Sequence, residues 1–284
     1  MKIALGTAQF GLDYGISNKR GKIPDNEIER ILQFAYENNI TTLDTAQAYG
    51  DSEEIIGKNI INKKYNFDIV TKLHPDFNSD EDKYFNLSFE RLNRNKLFGL
   101  LFHSFDSFIK NPLSFEKILR LKENGKIKKI GFSLYFPHEL EYLIKNNFKI
   151  DIVQIPYNIF DRRFERYFKN LKEIGVQIHA RSIFLQGLVF FPVNKLNNNL
   201  VLIKDKLEKL KSISVEYNIT ISSICLNFVA INKYIDKIIT GIDRLDNLVE
   251  IISSLEESNR LIHIYQKLLE LKEDNEKVIL PFNW

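Results

Sequence analysis

Several features that mark other protein classes are scarce in this sequence. Its 284 residues include a single cysteine, Cys225, which excludes an internal disulfide framework. Cys225 lies in the apolar stretch SSICLNFVA, where we expect a buried small hydrophobic residue rather than a nucleophile. No window approaches 18 consecutive apolar residues, and the start, MKIALGTAQFG, has the pattern of a strand rather than of a signal peptide. We therefore expect a soluble, cytoplasmic protein.

The net charge is also small. Lys and Arg number 40 against 37 Asp and Glu, which gives a net charge of +3, and the two signs are interspersed, as in LKENGKIKK. This pattern is typical of a solvated surface and not of a track for polyphosphate. We expect a small-molecule partner, with no nucleic acid and no membrane, and the sequence leaves the oligomeric state open.

Short apolar runs alternate with helical patterns along the whole chain. Strands are predicted at 3–7, 41–44, 67–72, 97–103, 127–132, 151–155, 176–180 and 236–240. Helices are predicted at 25–38, after Ser52, and at 79–93, 114–124, 137–146, 163–174, 203–217, 220–231, 244–256 and 258–273. Eight such units in fewer than 300 residues predict an α/β fold, a closed (β/α)8 TIM barrel forming a single domain over residues 1–284. An open doubly wound sheet is the alternative, but no strand is followed by G-x-G-x-x-G. The long segment 182–202 is expected to be irregular and to cover a ligand or be mobile.

Ionisable residues end three successive predicted strands. Asp44 ends the second, Lys72 the third and His103 the fourth, while Tyr49 lies in the loop after Asp44. The carboxyl ends of barrel strands converge on one face, where such enzymes carry out their chemistry. Each residue has a simpler explanation when taken alone: a helix cap, an exposed strand end, a hydrogen-bonded imidazole or loop packing. Together they predict a catalytic group.

This group suits the protonation of a developing alkoxide. A free tyrosine has a pKa of about 10 and is a poor acid at neutral pH. The ammonium group of Lys72 would lower the pKa of Tyr49, and Asp44 would keep Lys72 charged. His103 would orient the substrate oxygen by hydrogen bonding.

These segments resemble a known family. LDTAQAYGDSEEIIG, IVTKLH and LLFHSFD are similar to signature segments of the aldo-keto reductase superfamily, and KIGFSLY, VQIPYN and IITGIDRLDNLVE continue the resemblance in order. LGTAQFGLDYGISNKRGK and ARSIFLQGL more narrowly resemble a bacterial subgroup associated with sugar and surface-polysaccharide biosynthesis. The resemblance implies an oxidoreductase that uses NAD(P)H to reduce an aldehyde or ketone, with Tyr49 as the proton donor.

The resemblance also implies a set of cofactor contacts. Ser133 and Gln154 would bind the nicotinamide carboxamide, although Leu134 replaces an asparagine common in the family. Arg181 stands near the place of an aromatic residue that stacks on the nicotinamide, and a guanidinium plane would stack instead, unless Arg181 forms an ordinary surface salt bridge. The complete set is Thr7, Gln9, Ser133, Gln154, Arg181, Ser182, Leu185, Gly187, Gly241, Asp243 and Arg244.

Two residues of that set bear on the choice of cofactor. Arg244 is expected to hold the 2′-phosphate of NADP(H), which favours NADP(H) over NAD(H). Asp243 would repel that phosphate and accept a hydrogen bond from the 2′-hydroxyl of NADH, unless it caps the following helix through backbone N–H groups.

The substrate is predicted to be a polar, sugar-like aldehyde or ketone. Tyr14, Tyr157, Asn158 and Arg162 are expected at the mouth, although Arg162 can instead start the helix after strand six. Two other functions stay open. One is a barrel lyase or metal hydrolase that uses Asp44, Lys72 and His103 without a metal motif such as H-E-x-x-H. The other is a non-catalytic NADP(H)-binding regulatory protein.

Overall fold

The chain forms eight parallel strands. The computed structural model describes residues 1–16, 18, 20–77, 81–196, 198–255 and 257–284. The strands are β1 (Ile3–Gly6), β2 (Thr42–Asp44), β3 (Asp68–Leu73), β4 (Leu97–Phe102), β5 (Ile127–Ser133), β6 (Ile152–Pro156), β7 (Gln177–Arg181) and β8 (Lys237–Gly241). All eight predicted strands are confirmed, with every boundary within one residue of its predicted place.

The strands close into a barrel in sequence order. β1 pairs in parallel with β2 through Gly6 and Asp44, and with β8 through Gly6 and Gly241. This closure confirms the (β/α)8 barrel and excludes the open doubly wound sheet. It also brings the carboxyl ends of all eight strands to one face.

The helices surround the barrel. They are α1 (Ala8–Gly11), α2 (Asp25–Glu37), α3 (Ser52–Lys63), α4 (Glu81–Arg91), α5 (Phe105–Lys110), α6 (Ser114–Glu123), α7 (Pro137–Lys145), α8 (Phe168–Glu173), α9 (Lys204–Tyr217), α10 (Ile221–Ala230), α11 (Leu245–Leu255), α12 (Tyr265–Leu269) and α13 (Glu276–Ile279). Two predicted helices begin as 3₁₀ turns, Glu165–Tyr167 before α8 and Ser258–His263 before α12. The short α1, α5 and α13 were not predicted, because four to six residues give too little periodicity.

Two predicted helices fall partly on residues that are not described. Residues 79 and 80 of the helix predicted at 79–93 and residue 256 of the helix predicted at 244–256 lie outside the described residues. Within the described chain, no single helix is long and apolar enough to cross a membrane. The pair Asn198–Tyr217 and Ile221–Ala230 meets that length and composition only jointly, across a bend of 98°.

The segment after β7 is more regular than predicted. It contains three 3₁₀ helices, Leu185–Phe190, Val193–Lys195 and Asn198–Ile203. Ser182 and Gln186 adopt left-handed backbone angles, with φ of 59° and 51°. These angles turn the chain sharply just beyond the strand end, so the apolar side chains of the segment reach the core even though they show no regular period.

Two apolar layers support the barrel. Most buried hydrophobic residues lie between the strands and the helices, while Val70, Leu101 and Ile152 pack with Phe98 in a separate inner cluster. At Gly131 an added Cβ would lie only 1.9 Å from the carbonyl oxygen of Ile152, so β5 and β6 require glycine there. Three strands end on polar residues, Asp44 on β2, Ser133 on β5 and Arg181 on β7.

Candidate active site at the carboxyl ends of the strands

A cavity of about 450 Å³ opens at the carboxyl face of the barrel. Most residues predicted for the site line it: Thr7, Gln9, Tyr14, Asp44, Tyr49, His103, Ser133, Gln154, Arg181, Ser182, Gly187, Gly241, Asp243 and Arg244. The strand-end pattern therefore brings together residues from seven of the eight strand units. Lys72 lies beneath the lining, and Leu185, Tyr157, Asn158 and Arg162 do not line the cavity.

Lys72 and Asp44 form a buried ion pair at the base of the cavity. Asp44 pairs in register with Val70, so Lys72, two residues later, points to the same interior side of the sheet. The Lys72 side chain is 0% exposed, and its Nζ donates to Asp44 Oδ1 at 2.7 Å and to the Thr45 carbonyl at 2.8 Å. Gln154 Nε2 donates to the other carboxylate oxygen at 2.6 Å. Asp44 is therefore an interior anchor and not a helix cap, and Lys72 is not an exposed strand end.

Tyr49 sits above this pair in the loop between β2 and α3. Its N–H donates to the Ala46 carbonyl at 3.0 Å, which folds the loop back over the barrel. Its ring meets His103 edge to face, with ring centroids 5.7 Å apart, and Lys72 Nζ lies 5.0 Å from the Tyr49 centroid. The predicted group of Tyr49, Lys72, Asp44 and His103 is thus assembled in one place.

The electrostatics differ from the prediction at Tyr49. Burial raises the pKa of Tyr49 above its ordinary value, the charge of Asp44 raises it further, and Arg181 acts in the opposite direction. No lowering by Lys72 accompanies these effects, and the tuning role expected for Lys72 stays a prediction. Burial lowers the pKa of Lys72, and Asp44 opposes that change, which agrees with the anchoring role predicted for Asp44.

His103 is a neutral and incompletely bonded imidazole. Burial lowers its pKa to about 3, and the charges of Lys72 and Arg181 act in the same direction. Its buried Nδ1 has no hydrogen-bond partner among the described residues. Most buried polar atoms in protein cores have a hydrogen-bond partner. His103 is therefore not the fully hydrogen-bonded imidazole that was the simpler explanation for its position.

Ser133 and Gln154 line the cavity as predicted, but their neighbourhood is constrained. One Nε2 hydrogen of Gln154 is committed to Asp44. Leu134 is fully buried, and its backbone N–H donates to the Gln154 carbonyl at 2.8 Å. The side chain that replaces the family asparagine therefore packs inside and offers no hydrogen bond to a ligand.

Arg181 extends from the end of β7 into the same cavity. Its guanidinium lies 4.0 Å from the centroid of the Tyr135 ring. Nη2 donates to the Leu134 carbonyl at 3.0 Å, and Nη1 donates to Ser182 Oγ at 3.2 Å. Across the described ranges no carboxylate pairs with Arg181, so the alternative of a surface salt bridge is not observed.

Two loops meet across one side of the mouth. The Ile16 N–H donates to the Gln186 carbonyl at 3.2 Å, and Gln186 Nε2 donates to Tyr14 Oη at 2.9 Å. Burial raises the pKa of Tyr14 to about 12, so the phenol stays protonated at neutral pH. Ser182 and Gly187 line the cavity below this bridge, whereas Leu185 points into the core and is fully buried. The side chain of Leu185 is therefore turned away from the cavity, and the placement of Leu185 along a pyrophosphate stays a prediction.

A close backbone approach marks the start of the loop after β8. An added Cβ at Gly241 would lie 3.0 Å from Gln9 Oε1. That oxygen is buried and lacks a hydrogen-bond partner in the described part of the chain. Gln9 Nε2 donates to the Tyr14 carbonyl at 3.3 Å, which leaves the Gln9 oxygen as a free acceptor on the cavity wall.

Asp243 and Arg244 lie at the far end of the cavity. Asn247 connects them, because its Nδ2 donates to Asp243 Oδ1 and its Oδ1 accepts from Arg244 Nε at 2.9 Å. The backbone N–H of Leu245, in the first turn of α11, donates to Glu27 Oε1 at 2.8 Å. Glu27 from α2 thus supplies the cap that was considered for Asp243.

Two predicted substrate residues belong to the core. Tyr157 is fully buried, and its Oη donates to Glu165 Oε1 at 2.8 Å and accepts from Asn232 Nδ2 at 3.0 Å. Asn158 is 1% exposed, and its Nδ2 donates to the Ser182 carbonyl at 2.9 Å. Both are therefore removed from the candidate substrate contacts, and Asn158 instead holds the segment after β7 in place.

Arg162 is also displaced from the mouth. Its Nη2 donates to the Leu269 carbonyl at 2.8 Å. It lines a separate cavity of about 630 Å³ together with Arg163, Arg166 and Lys272. A regular helix does not start at Arg162; the chain passes instead through the 3₁₀ turn Glu165–Tyr167. Of the four predicted substrate residues, only Tyr14 lines the main cavity.

Some cavity residues were not predicted. Tyr135 follows β5 by two residues, so the strand-end pattern contained the signal for it. Gln186 lies inside the segment that was expected to be irregular, and Asn247 and Glu250 lie on α11. Glu250 is nine positions beyond the end of β8, too far along the chain for the strand-end pattern to indicate it.

The described residues provide no group of three or more His, Cys, Asp or Glu side chains arranged to hold a metal ion. The metal-hydrolase alternative therefore has no ligand set to argue from in this part of the chain.

Comparisons with known proteins agree with the barrel fold. The sequence pattern of the Aldo/keto reductase family matches residues 2–266. The uncharacterized oxidoreductase YqkF of Bacillus subtilis (strain 168) is 26% identical over 204 residues, and the alignment spans 66% of each chain, just under two thirds. The names of these relatives do not mention sugar or polysaccharide biosynthesis, so the narrower resemblance stays a prediction.

Solved structures show the same fold. The holo form of aldo-keto reductase AKR11C1 from Bacillus halodurans superposes with a TM-score of 0.74 at 21% identity, over 94% of this chain and 91% of that one. The thermostable aldo-keto reductase Tm1743, solved with the inhibitor epalrestat, gives a TM-score of 0.69 at 23% identity over 95% of both chains. Because the family pattern matches residues 2–266 of the 284, this chain belongs to the Aldo/keto reductase family.

Proposed function

We propose that this protein is an NAD(P)H-dependent carbonyl reductase in which Tyr49 protonates the substrate oxygen. Membership of the family supports carbonyl reduction. The observation that carries the proposal is the assembly of Tyr49 and His103 above the buried Lys72–Asp44 pair in one cavity. When bound, a reduced nicotinamide cofactor supplies the hydride.

The cavity fits such a cofactor. Ser133 and the free amide hydrogen of Gln154 supply polar groups for a carboxamide, and the Gln9 oxygen is an acceptor without a partner among the described residues. The planar guanidinium of Arg181 offers a face for stacking, and Ser182 and Gly187 line the segment along which a pyrophosphate would lie. Gly241 leaves open the space beside the Gln9 oxygen, where an added Cβ would lie 3.0 Å from it.

The proton chemistry follows from the directions of the pKa values. The raised pKa of Tyr49 keeps the phenol protonated at neutral pH, so Tyr49 is a donor and not a base. Neutral His103 can hydrogen-bond the substrate oxygen without adding charge. The Lys72–Asp44 pair fixes the base of the site, because both side chains are almost fully buried.

The decisive experiment is Tyr49→Phe. We expect reduction to fall at least ~10²-fold, the usual scale for a lost general acid, while NADPH still quenches protein fluorescence with nearly the parental Kd. Tyr36→Phe, at a tyrosine 41% exposed on α2, is the matched control. A Tyr49→Phe enzyme that turns over at the Tyr36→Phe rate would place the proton donor elsewhere. A parental protein that binds NADPH but turns over no carbonyl compound would favour the non-catalytic NADP(H)-binding alternative.

We further propose a preference for NADPH over NADH that is modest. Arg244 supports it, since a guanidinium grips a phosphate with paired, charge-assisted bonds. The carboxylates of Asp243 and Glu250 line the same end of the cavity and reduce the attraction. Arg244→Ala should abolish the preference, Asp243→Asn should widen it, and added salt should narrow it in the parental protein. Tighter binding of NADH than of NADPH at low salt would show that Asp243 sets the choice.

For the substrate we propose a polar, sugar-like aldehyde or ketone. The polar rim formed by Tyr14 and Gln186, together with the narrower sequence resemblance, supports hydroxyl-bearing substrates. A panel of carbonyl compounds compared by kcat/KM tests this proposal, and small apolar aldehydes that outperform every sugar carbonyl would reject it.

A further inference from the structure

The charges around Tyr49 do not cancel. Lys72 and Asp44 form a pair at 2.7 Å, and together they contribute little net charge. The lowered pKa of His103 keeps that imidazole neutral. Arg181 lines the cavity with Tyr49, and the described chain provides no carboxylate to pair with it. Among the ionisable groups that act on Tyr49, Arg181 is therefore a cation without a carboxylate partner in the described chain.

Titratable groups face Tyr49 from six strand units. They are Tyr14 after β1, Asp44 on β2, Lys72 on β3, His103 after β4, Tyr135 after β5 and Arg181 on β7. Asp44 disfavours ionisation of Tyr49, and so does Tyr135 when it is ionised. Arg181 favours it, and it has the same effect on the neighbouring phenol of Tyr14. The charge of Arg181 thus favours the ionised form of both phenols at this end of the cavity.

The guanidinium is held in a fixed position. One face lies 4.0 Å from the Tyr135 ring centroid, and two of its nitrogens donate to the Leu134 carbonyl and to Ser182 Oγ. Its Nε is buried and has no partner among the residues described. A charge that is partly removed from water and held in place acts on its neighbours more strongly than a solvated one.

We propose that Arg181 is a positioning residue that makes Tyr49 a competent acid, since its uncompensated charge stabilises the tyrosinate formed during turnover. The inference rests on the proposed reductase function. In the step concerned, the O–H bond of Tyr49 breaks and an O–H bond forms on the substrate oxygen. The electron pair stays on Tyr49 Oη, so negative charge develops on Oη within the field of Arg181.

The first test is a double-mutant cycle at saturating NADPH, so that cofactor affinity does not enter. Arg181→Gln should lower kcat about 10-fold, equivalent to about 1.4 kcal/mol, and Arg181→Lys should recover most of the loss because it keeps the charge. In the Tyr49→Phe background, Arg181→Gln should cause no further loss. Losses that multiply in the double variant, or an Arg181→Lys enzyme as slow as Arg181→Gln, would overturn the proposal.

The second test does not depend on turnover. Tetrafluorotyrosine placed specifically at residue 49, whose phenol ionises several pH units below that of tyrosine, gives a ¹⁹F signal that can be titrated while Lys72 is still charged. The midpoint of this titration should lie at higher pH in Arg181→Gln than in the parental apo protein, while Arg244→Gln, which removes a cation at the far end of the cavity, should match the parent. Equal midpoints in the parent and Arg181→Gln would overturn the proposal. A protein that passes this test but reduces no carbonyl compound would refute the reductase function alone.

Discussion

Removing the ammonium group of Lys72 should damage folding and catalysis together. Lys72→Met has similar length and keeps the apolar stem, so the main change is the loss of one buried charge. The Asp44 side chain is 4% exposed, and without Lys72 it would keep only the 2.6 Å hydrogen bond from Gln154 Nε2 among its described side-chain partners. An uncompensated buried carboxylate costs about 3–5 kcal/mol. We expect the free energy of unfolding of Lys72→Met to fall by that amount.

A surface pair offers a matched control. Lys122 Nζ lies 2.6 Å from Asp151 Oδ2, a distance like that in the buried pair, but the two side chains are 36% and 27% exposed. Lys122→Met should therefore cost no more than about 1 kcal/mol. Urea unfolding at neutral pH measures both, and a fall in the midpoint without a change in m reports stability alone.

The double variant decides the mechanism. In Asp44→Asn/Lys72→Met neither member of the pair carries a buried charge, so much of the stability lost in Lys72→Met should return. The activity of the double variant should still be at least ~10²-fold below that of the parent. A Lys72→Met protein as stable as Lys122→Met, or a double variant less stable than Lys72→Met, would refute this account of the pair.

Three further outcomes follow from single side chains. Burial lowers the pKa of His179 to about 3, so the contribution of the neutral imidazole to stability is complete above about pH 6.5 and is lost as the pH falls. Between pH 7 and 4.5, the free energy of unfolding in urea should therefore change by about 2.5 kcal/mol less in His179→Leu than in the parent. Gly131→Ala places a Cβ against a backbone carbonyl and should cost about 3 kcal/mol or prevent folding, while Gly99→Ala, which meets only side-chain atoms at 3.3 Å, should cost less in the same assay. Glu27→Ala removes the partner of the Leu245 N–H and should lower the unfolding midpoint by the equivalent of about 1 kcal/mol; no change would mean that water replaces the cap.

Much of the fold could be predicted because buried parallel strands leave a clear pattern. A strand covered on both sides is almost entirely apolar, as in LFGLLF of β4, and a polar residue such as His103 marks its end. The strand-end pattern predicts the position of a residue along the barrel axis but not the direction of its side chain. Tyr157 shows this limit: it directly follows β6, yet its ring packs 5.0 Å from Phe168 and 5.9 Å from Phe228, on the outer side of the strand.

The balance of charges could not be predicted, because it depends on contacts between residues far apart in the chain. Asp44 and Gln154 are separated by 110 positions, and only barrel closure brings the amide to the carboxylate. Neighbouring strand ends predict that Lys72 tunes Tyr49, but they do not show that Lys72 is paired with Asp44. They also give no sign of Arg181, a cation that acts on Tyr49 from a strand more than a hundred residues further along the chain. A sequence pattern can identify which polar groups share a cavity. The net charge around a proton donor can be worked out only when it is known how every charged group near it is paired.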